Sequence, residues 1–211
     1  MKMITSIINI IGLFAVLFTS SCKEEQSFVS TKPTNPERTL IVYLSRTNNT
    51  KVIAEIIQQN VGGTLVALEL ETPYPEDYRT TVNQVANENA TGFLPAFKTV
   101  VDSMQNYDIV FIGFPTWGMQ LPPPIKSFLY QYDLSGKKVI PFNTNGGYGI
   151  GSSFQTVKDL CPNSEILDGF TIRGGSETNG IMLAITGNRR TEAETEVRSW
   201  LSRIAIIQKS E

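Results

Sequence analysis

The sequence predicts an α/β fold, a three-layer sandwich with helices packed on both faces of a parallel sheet. Two patterns carry that prediction: short continuous apolar runs of strand length, and amphipathic helical stripes that alternate with them. The 211 residues are 41% hydrophobic and 18% charged, with a formal net charge of −2. That composition fits one globular domain with a real core and excludes collagen-like, disordered and multi-span membrane classes. The near-neutral balance argues against a nucleic-acid binder, which carries a clustered basic surface. The chain has no histidine, so Ser-His-Asp and Cys-His hydrolases and His-ligated zinc sites are excluded. Cys22 and Cys161 form no CxxC pair, which also excludes a thioredoxin-like dithiol or an iron–sulfur cluster.

The elements follow in order. Leu40 to Leu44 is an apolar run bounded by polar residues, as a strand buried on both faces reads. Thr50 to Asn60 sets Val52, Ile53, Ile56 and Ile57 on one helical stripe, and Gly62-Gly63 ends it. Thr64 to Leu70 is the second strand. Tyr74-Pro75-Glu76-Asp77-Tyr78 opens a longer connection, with a helix from about Tyr78 to Asn89 and a short one near Thr99 to Gln105. Ile109 to Phe114 is the third strand. Pro122-Pro123-Pro124 starts a helix whose core face is Ile125, Phe128 and Leu129, since proline is tolerated in a first turn. Lys138 to Phe142 is a fourth strand. Ser152 to Leu160 is a helix that Ser152 or Ser153 can cap. Ile166 to Ile172 is a fifth strand, and Ala193, Val197, Trp200, Leu201 and Ile204 mark the last helix. Strands alternating with helices imply right-handed parallel crossovers, with ligands beyond the carboxyl ends of the strands. The loops after Leu44, Phe114 and Phe142 are therefore the candidate site.

Residues 1–21 read as an export signal: Lys2, an apolar run from Ile4 to Phe18, then Thr19-Ser20-Ser21. The small residues before Cys22 resemble a bacterial lipobox. That resemblance implies cleavage before Cys22, lipidation of Cys22 and a domain anchored to the cell envelope, at the outer membrane or on the cell surface, without spanning it. Residues 22–38, with Pro33 and Pro36, form a polar tether to a domain at 39–211. Cys161, at a helix end before a proline, reads as a structural residue.

The first loop, Ser45-Arg46-Thr47-Asn48-Asn49-Thr50, offers hydroxyls, carboxamides and the free amides of a helix N-terminus. Such a set suits an anion, and it also serves as an ordinary polar cap. The second, Pro115-Thr116-Trp117-Gly118, sets a large aromatic at the sheet mouth, where it can hold a planar ring or cover the core edge. The third, Asn143-Thr144-Asn145-Gly146-Gly147-Tyr148, is glycine-rich and lets backbone approach a planar ligand closely. No third glycine completes a GxGxxG fingerprint.

Ser45, Thr47, Asn49 and Thr50 match the Thr/Ser-x-Thr-Gly-x-Thr loop of the flavodoxin family, which the sequence from Thr39 onward resembles. Asn48 stands where that family has Gly, and Asn is the residue that best tolerates a left-handed turn after Gly. The resemblance implies a five-stranded sheet in the order 2-1-3-4-5 and non-covalent flavin mononucleotide (FMN) at its mouth. Residues 45–50 would hold the phosphate, and Pro115 to Gly118 with Asn143 to Tyr148 the ring. Trp117 would stack on the flavin and Tyr148 offer a second face, while the Gly118 peptide would flip towards N5. No side chain is assigned as acid or base. The resemblance allows an electron shuttle to a partner protein or a small flavin reductase with a quinone-type acceptor. A non-catalytic surface domain with the same fold and another ligand is the alternative. The Tyr74–Tyr78 cluster either reaches the ligand or packs against the sheet, the commoner fate of aromatic insertions.

Overall fold

The computed structural model describes residues 38–208. The expectations for the signal segment, Cys22 and the tether up to residue 37 lie outside the described residues. One parallel sheet is built from β1 (Thr39–Tyr43), β2 (Thr64–Ala67), β3 (Ile109–Pro115), β4 (Lys138–Asn145), β5 (Glu165–Ile166) and β6 (Phe170–Arg173). Its order is β2-β1-β3-β4-β5, with β6 also paired to β4. Five helices cover it: α1 (Asn49–Val61), α2 (Tyr78–Thr91), α3 (Pro123–Gln131), α4 (Ser153–Leu160) and α5 (Gly187–Arg203).

The apolar runs are continuous because successive side chains serve two cores. Ile41, Tyr43, Phe111, Ile140 and Phe142 pack with α1 and α5. Leu40, Val42, Val110, Ile112, Phe114 and Val139 pack with α3 and α4. A strand's side chains point alternately to opposite faces, so both sets must be apolar when both faces are covered. Trp200 of α5 closes the first core, with its ring against Phe111 and Phe170.

The fifth strand differs from its expected form. Ile166 to Ile172 is interrupted: Val139 pairs with Ile166 but Phe142 with Phe170, so one extra residue is accommodated between the two segments. The Asp168 carbonyl in the break accepts a hydrogen bond from the Trp200 indole at 2.8 Å. A Cβ on Gly169 would lie 2.4 Å from the Phe154 ring. The strand is thus bulged where the neighbouring rings need its space.

The second strand ends at Ala67 rather than Leu70, since the chain beyond it pairs antiparallel with residues 96–98. The short helix expected near Thr99 to Gln105 is only a 3-10 turn at Met104–Asn106. Thr99 is instead tied to Ala67 and Glu69, which keeps that stretch extended. Ser152 precedes α4 but caps nothing with its side chain. Its hydroxyl is turned to the Met119 carbonyl. Cys161 ends α4, buried in the second core, and burial pushes its thiol up to about 11.

Gly113 in β3 is paired with Phe142 in β4, and a Cβ there would meet the Phe142 ring at 2.1 Å. Gly113→Ala is expected to destabilise the fold by about 1–3 kcal/mol, the cost of overpacking a tight core. Urea unfolding reads this as a lowered midpoint, and an unchanged midpoint would contradict the packing described.

Candidate functional site

The carboxyl ends of the strands open into one cavity of about 650 Å³. Ligand pockets generally lie between about 300 and 1,000 Å³. Loops following β1, β3, β4 and β6 line it, with one face of α2.

In the first loop Asn48 takes a left-handed conformation, φ 64°, at the N-terminus of α1. Asn can adopt this state because its short polar side chain bonds locally. Among the described residues, the backbone amides of Arg46 to Thr50 donate to no protein group, although Asn49 and Thr50 are buried. Buried amides without partners are uncommon, so the loop has the character of an anion cradle. Ser45 Oγ accepts from the Lys51 amide and Thr47 Oγ1 accepts from Asn49 Nδ2. Both hydroxyls therefore keep a proton to donate outward.

The six loop residues divide by role. Arg46, Thr47 and Asn49 line the cavity; Ser45, Asn48 and Thr50 do not. Thr50 Oγ1 is bonded to Thr144 Oγ1 at 2.8 Å, joining the first loop to β4. Asn49 Oδ1 accepts from the amides of Ala184 and Ile185, and Nδ2 donates to the Met182 carbonyl at 2.6 Å. Its carboxamide thus latches residues 182–185 to the loop. Arg46 Nε spans both oxygens of Glu177, while its terminal nitrogens donate to the carbonyls of Pro75 and Glu76. Arg46 and Glu177 are the only charged residues on the lining, and each occupies the other.

Pro115, Thr116, Trp117 and Gly118 all line the cavity. Trp117 and Gln120 exchange backbone hydrogen bonds across Gly118 (φ 56°) and Met119 (φ 59°). Two positive φ values are what a tight type I′ hairpin demands. The Trp117 ring meets Tyr74 edge-on, with centroids 5.1 Å apart. Tyr74 in turn donates its hydroxyl to the buried Glu88, which also accepts from Gln84.

Of the third expected loop, Asn143 to Asn145 belong to β4, which runs past Phe142; Thr144, Asn145, Gly146 and Tyr148 line the cavity, whereas Asn143 and Gly147 do not. Asn143 is fully buried, donating to the Phe114 carbonyl and Thr116 Oγ1 and accepting from Thr171. Asn145 Oδ1 accepts from the amides of Gly147 and Gly149 and shapes the turn. Tyr148 stands 84% exposed at the rim.

Met119, Gln120 and Gly149 extend the expected loops on the lining, and two further parts of it were absent from the sequence-derived site. Gly174 to Thr178 follows β6, and its glycines allow close packing: a Cβ on Gly175 would lie 2.2 Å from the Met182 carbonyl oxygen. Their position after a fifth strand was the available signal. The second part is α2, through Tyr78, Thr81, Val82, Val85 and their neighbours. Tyr78, Val82, Ala86 and Ala90 recur every four residues, the spacing that marks one helix face. Of the aromatic cluster before α2, Tyr74 packs against Trp117 while Tyr78 reaches the cavity.

The fold and site define a class: a doubly wound α/β protein with one ligand cavity at its switch point and a neutral anion cradle at one end. The sequence profile of the family described as Flavodoxin matches residues 38–184, and the chain belongs to the flavodoxin family. A curated relative, a flavodoxin of Synechocystis sp., is 24% identical over 189 residues, covering 81% of this chain and 97% of that one. A crystal structure of a candidate flavoprotein from Bacteroides eggerthii is 30% identical, with a TM-score of 0.65 over 80% of this chain and 98% of the other. A flavoprotein from Lactobacillus acidophilus, crystallised in complex with FMN, shares the fold at 22% identity. Its TM-score is 0.58, with 64% of this chain and 93% of that one covered.

Burial first, then the bond to Glu88, raises the Tyr74 pKa far above the ordinary phenol range. A phenol with a raised folded pKa contributes stability fully below its unfolded value of about 10 and loses it as pH rises through the folded value. Tyr74→Phe is therefore expected to lower stability by about 1–3 kcal/mol at neutral pH, the cost of stranding a buried acceptor. The deficit should shrink above about pH 10. Urea unfolding at neutral and alkaline pH checks this, and a deficit constant with pH would contradict it.

Proposed function

We propose that the chain binds FMN non-covalently and serves as a redox protein of the cell envelope. One observation carries the reading: the loop whose amides from Arg46 to Thr50 have no protein partner lines, through Arg46, Thr47 and Asn49, the same cavity as Trp117. The cradle suits a phosphate, and the aromatic suits an isoalloxazine. The FMN complex of the Lactobacillus acidophilus flavoprotein, which has the same fold, agrees with the choice of ligand.

In this reading the amides of 46–50 and the hydroxyls of Ser45 and Thr47 hold the phosphate, aided by the α1 dipole. Arg46 is spent on Glu177 and two carbonyls, so it orders the loop and does not neutralise the anion. Trp117 stacks on the ring and the Thr144–Tyr148 turn borders its polar edge. Gly118 is the residue whose peptide can turn towards the ring, because it stands at φ 56° and lacks the Cβ that restricts backbone states. FMN, when bound, supplies the electron and proton transfer, and the protein sets its position and potential. Exposed Met119 and Tyr148 at the rim, with Ile181 to Leu183 beside it, favour a small apolar acceptor of the quinone type over a flat acidic docking face.

The test is the visible spectrum of the chain from Lys23 onward, before and after adding FMN. Flavin bands should appear and remain through desalting, and Trp117→Ala should weaken binding by about tenfold or more, the worth of one aromatic stack. No binding of added FMN would leave the fold standing and favour a surface domain with another ligand. For the envelope placement, Cys22→Ser is expected to abolish incorporation of labelled fatty acid and release the protein from membranes. Labelling that survives the substitution would refute the anchor.

A further inference from the structure

Trp117 is held differently from Trp200. Trp200 packs against Phe111 and Phe170 and donates its indole N–H to the Asp168 carbonyl at 2.8 Å, so its plane and its direction are both fixed. The Trp117 backbone is secured by its exchange with Gln120. Its ring is half-buried, and among the described residues its indole N–H donates to no protein group. A side chain secured at the backbone alone keeps the freedom of its χ angles, so its plane must be set by what it touches. The aromatic ring that stands against it is Tyr74, at an interplanar angle of 84° with centroids 5.1 Å apart.

Tyr74 is itself pinned at both ends. Next to its backbone, the Pro75 carbonyl accepts from Arg46 and from Thr81 of α2. At the far end, its hydroxyl donates to Glu88 Oε2, while Glu88 Oε1 accepts from Gln84 Nε2 at 2.8 Å. Glu88 is 4% exposed and, among the described residues, forms no ion pair. A buried carboxylate without a cation carries a large desolvation cost. What offsets it here is a charge-assisted bond from the phenol, about twice as strong as a neutral one. That bond holds the Tyr74 ring against Trp117. Neither Glu88 nor Tyr74 lines the cavity.

We infer that Glu88, acting through Tyr74, is a positioning residue for the ring platform: it sets the plane of Trp117 from α2, outside the cavity. This rests on the FMN reading above, in which Trp117 stacks on the isoalloxazine. A planar ligand gains its full stacking contact only on a platform of matching orientation. A platform ordered in advance also binds without the entropy cost of fixing its side chain. Glu88 thereby contributes to FMN affinity without touching FMN.

The experiment titrates the full chain with FMN, follows the quenching of flavin fluorescence, and records near-ultraviolet circular dichroism before FMN is added. No binding by the unsubstituted chain would end the FMN reading and this inference with it. With binding established, Glu88→Met is expected to weaken FMN by about two- to tenfold, the range set by the worth of one aromatic pair. Glu88→Gln keeps an acceptor of the same shape and should restore most of that loss. In the Trp117→Ala background, Glu88→Met should lower affinity no further, because the platform it positions is gone. The dichroism reads the geometry apart from the ligand: the band lost in Trp117→Ala should be weakened in Glu88→Met and kept in Glu88→Gln. An equal loss of affinity with and without Trp117 would overturn the inference and assign Glu88 to the general fold. So would full FMN affinity in Glu88→Met, or an unaltered Trp117 band. Should Glu88→Met fail to fold, Tyr74→Phe, which removes the same hydrogen bond and keeps the ring, must give the same losses with the same dependence on Trp117.

Discussion

Arg46 holds the site together. Its guanidinium sits where three chain segments converge: the β1–α1 loop that carries it, the connection before α2 through Pro75 and Glu76, and the turn that bears Glu177. Its partners lie 29 to 131 residues away, so none of these segments is positioned by its own local sequence. The pair with Glu177 is largely shielded from solvent. Desolvation cancels much of the Coulombic gain in such pairs, and their main effect is on geometry. Pro75 transmits that geometry onward, because its carbonyl accepts from both Arg46 and Thr81 of α2. The phosphate-type loop, the aromatic floor under Trp117 and the α2 wall are thus referred to one planar fork.

Committing the arginine in this way determines how an anion can be held. With its one cation neutralised, the cradle relies on amides, hydroxyls and the N-terminal dipole of α1. Backbone amides are fixed in direction once the loop is fixed, so they bind without the entropy cost of ordering a long side chain. The carboxamide of Asn49 adds to this rigidity by holding residues 182–185 against the loop. Asn49 and Thr50 spend their side chains on fixing the cradle, while its backbone amides keep no protein partner among the described residues.

That division explains what was legible in the sequence. Leu40–Leu44, Ile109–Phe114 and Lys138–Phe142 were readable as strands because both faces are buried and the runs are unbroken. Asn48 was readable as a left-handed residue because few side chains tolerate that state. Side-chain roles were less accessible. Thr50 and Asn143 have the chemistry of ligand contacts, yet their partners are Thr144, Thr116 and Phe114. The stripe on α2 has the spacing of a core face, and only the fold shows that it borders a cavity. The extra residue between Ile166 and Phe170 left no mark in the hydrophobic pattern, since Trp200 and Phe154, which require it, lie elsewhere in the chain.

The hairpin after Trp117 shows where the molecule tolerates strain. Met119 is a non-glycine residue at φ 59°, a conformation that costs roughly 1–2 kcal/mol. It is retained because its carbonyl accepts from the Ser152 amide at 3.0 Å and the Ser152 hydroxyl at 3.4 Å. Gly151 permits that approach, since a Cβ there would lie 1.9 Å from the same oxygen. The far side of the hairpin is therefore clamped to the start of α4, while Gly118 faces open space. Gly118, next to Trp117, takes its positive φ without the Cβ penalty that Met119 bears, so the strain of the hairpin sits on the side that Ser152 holds.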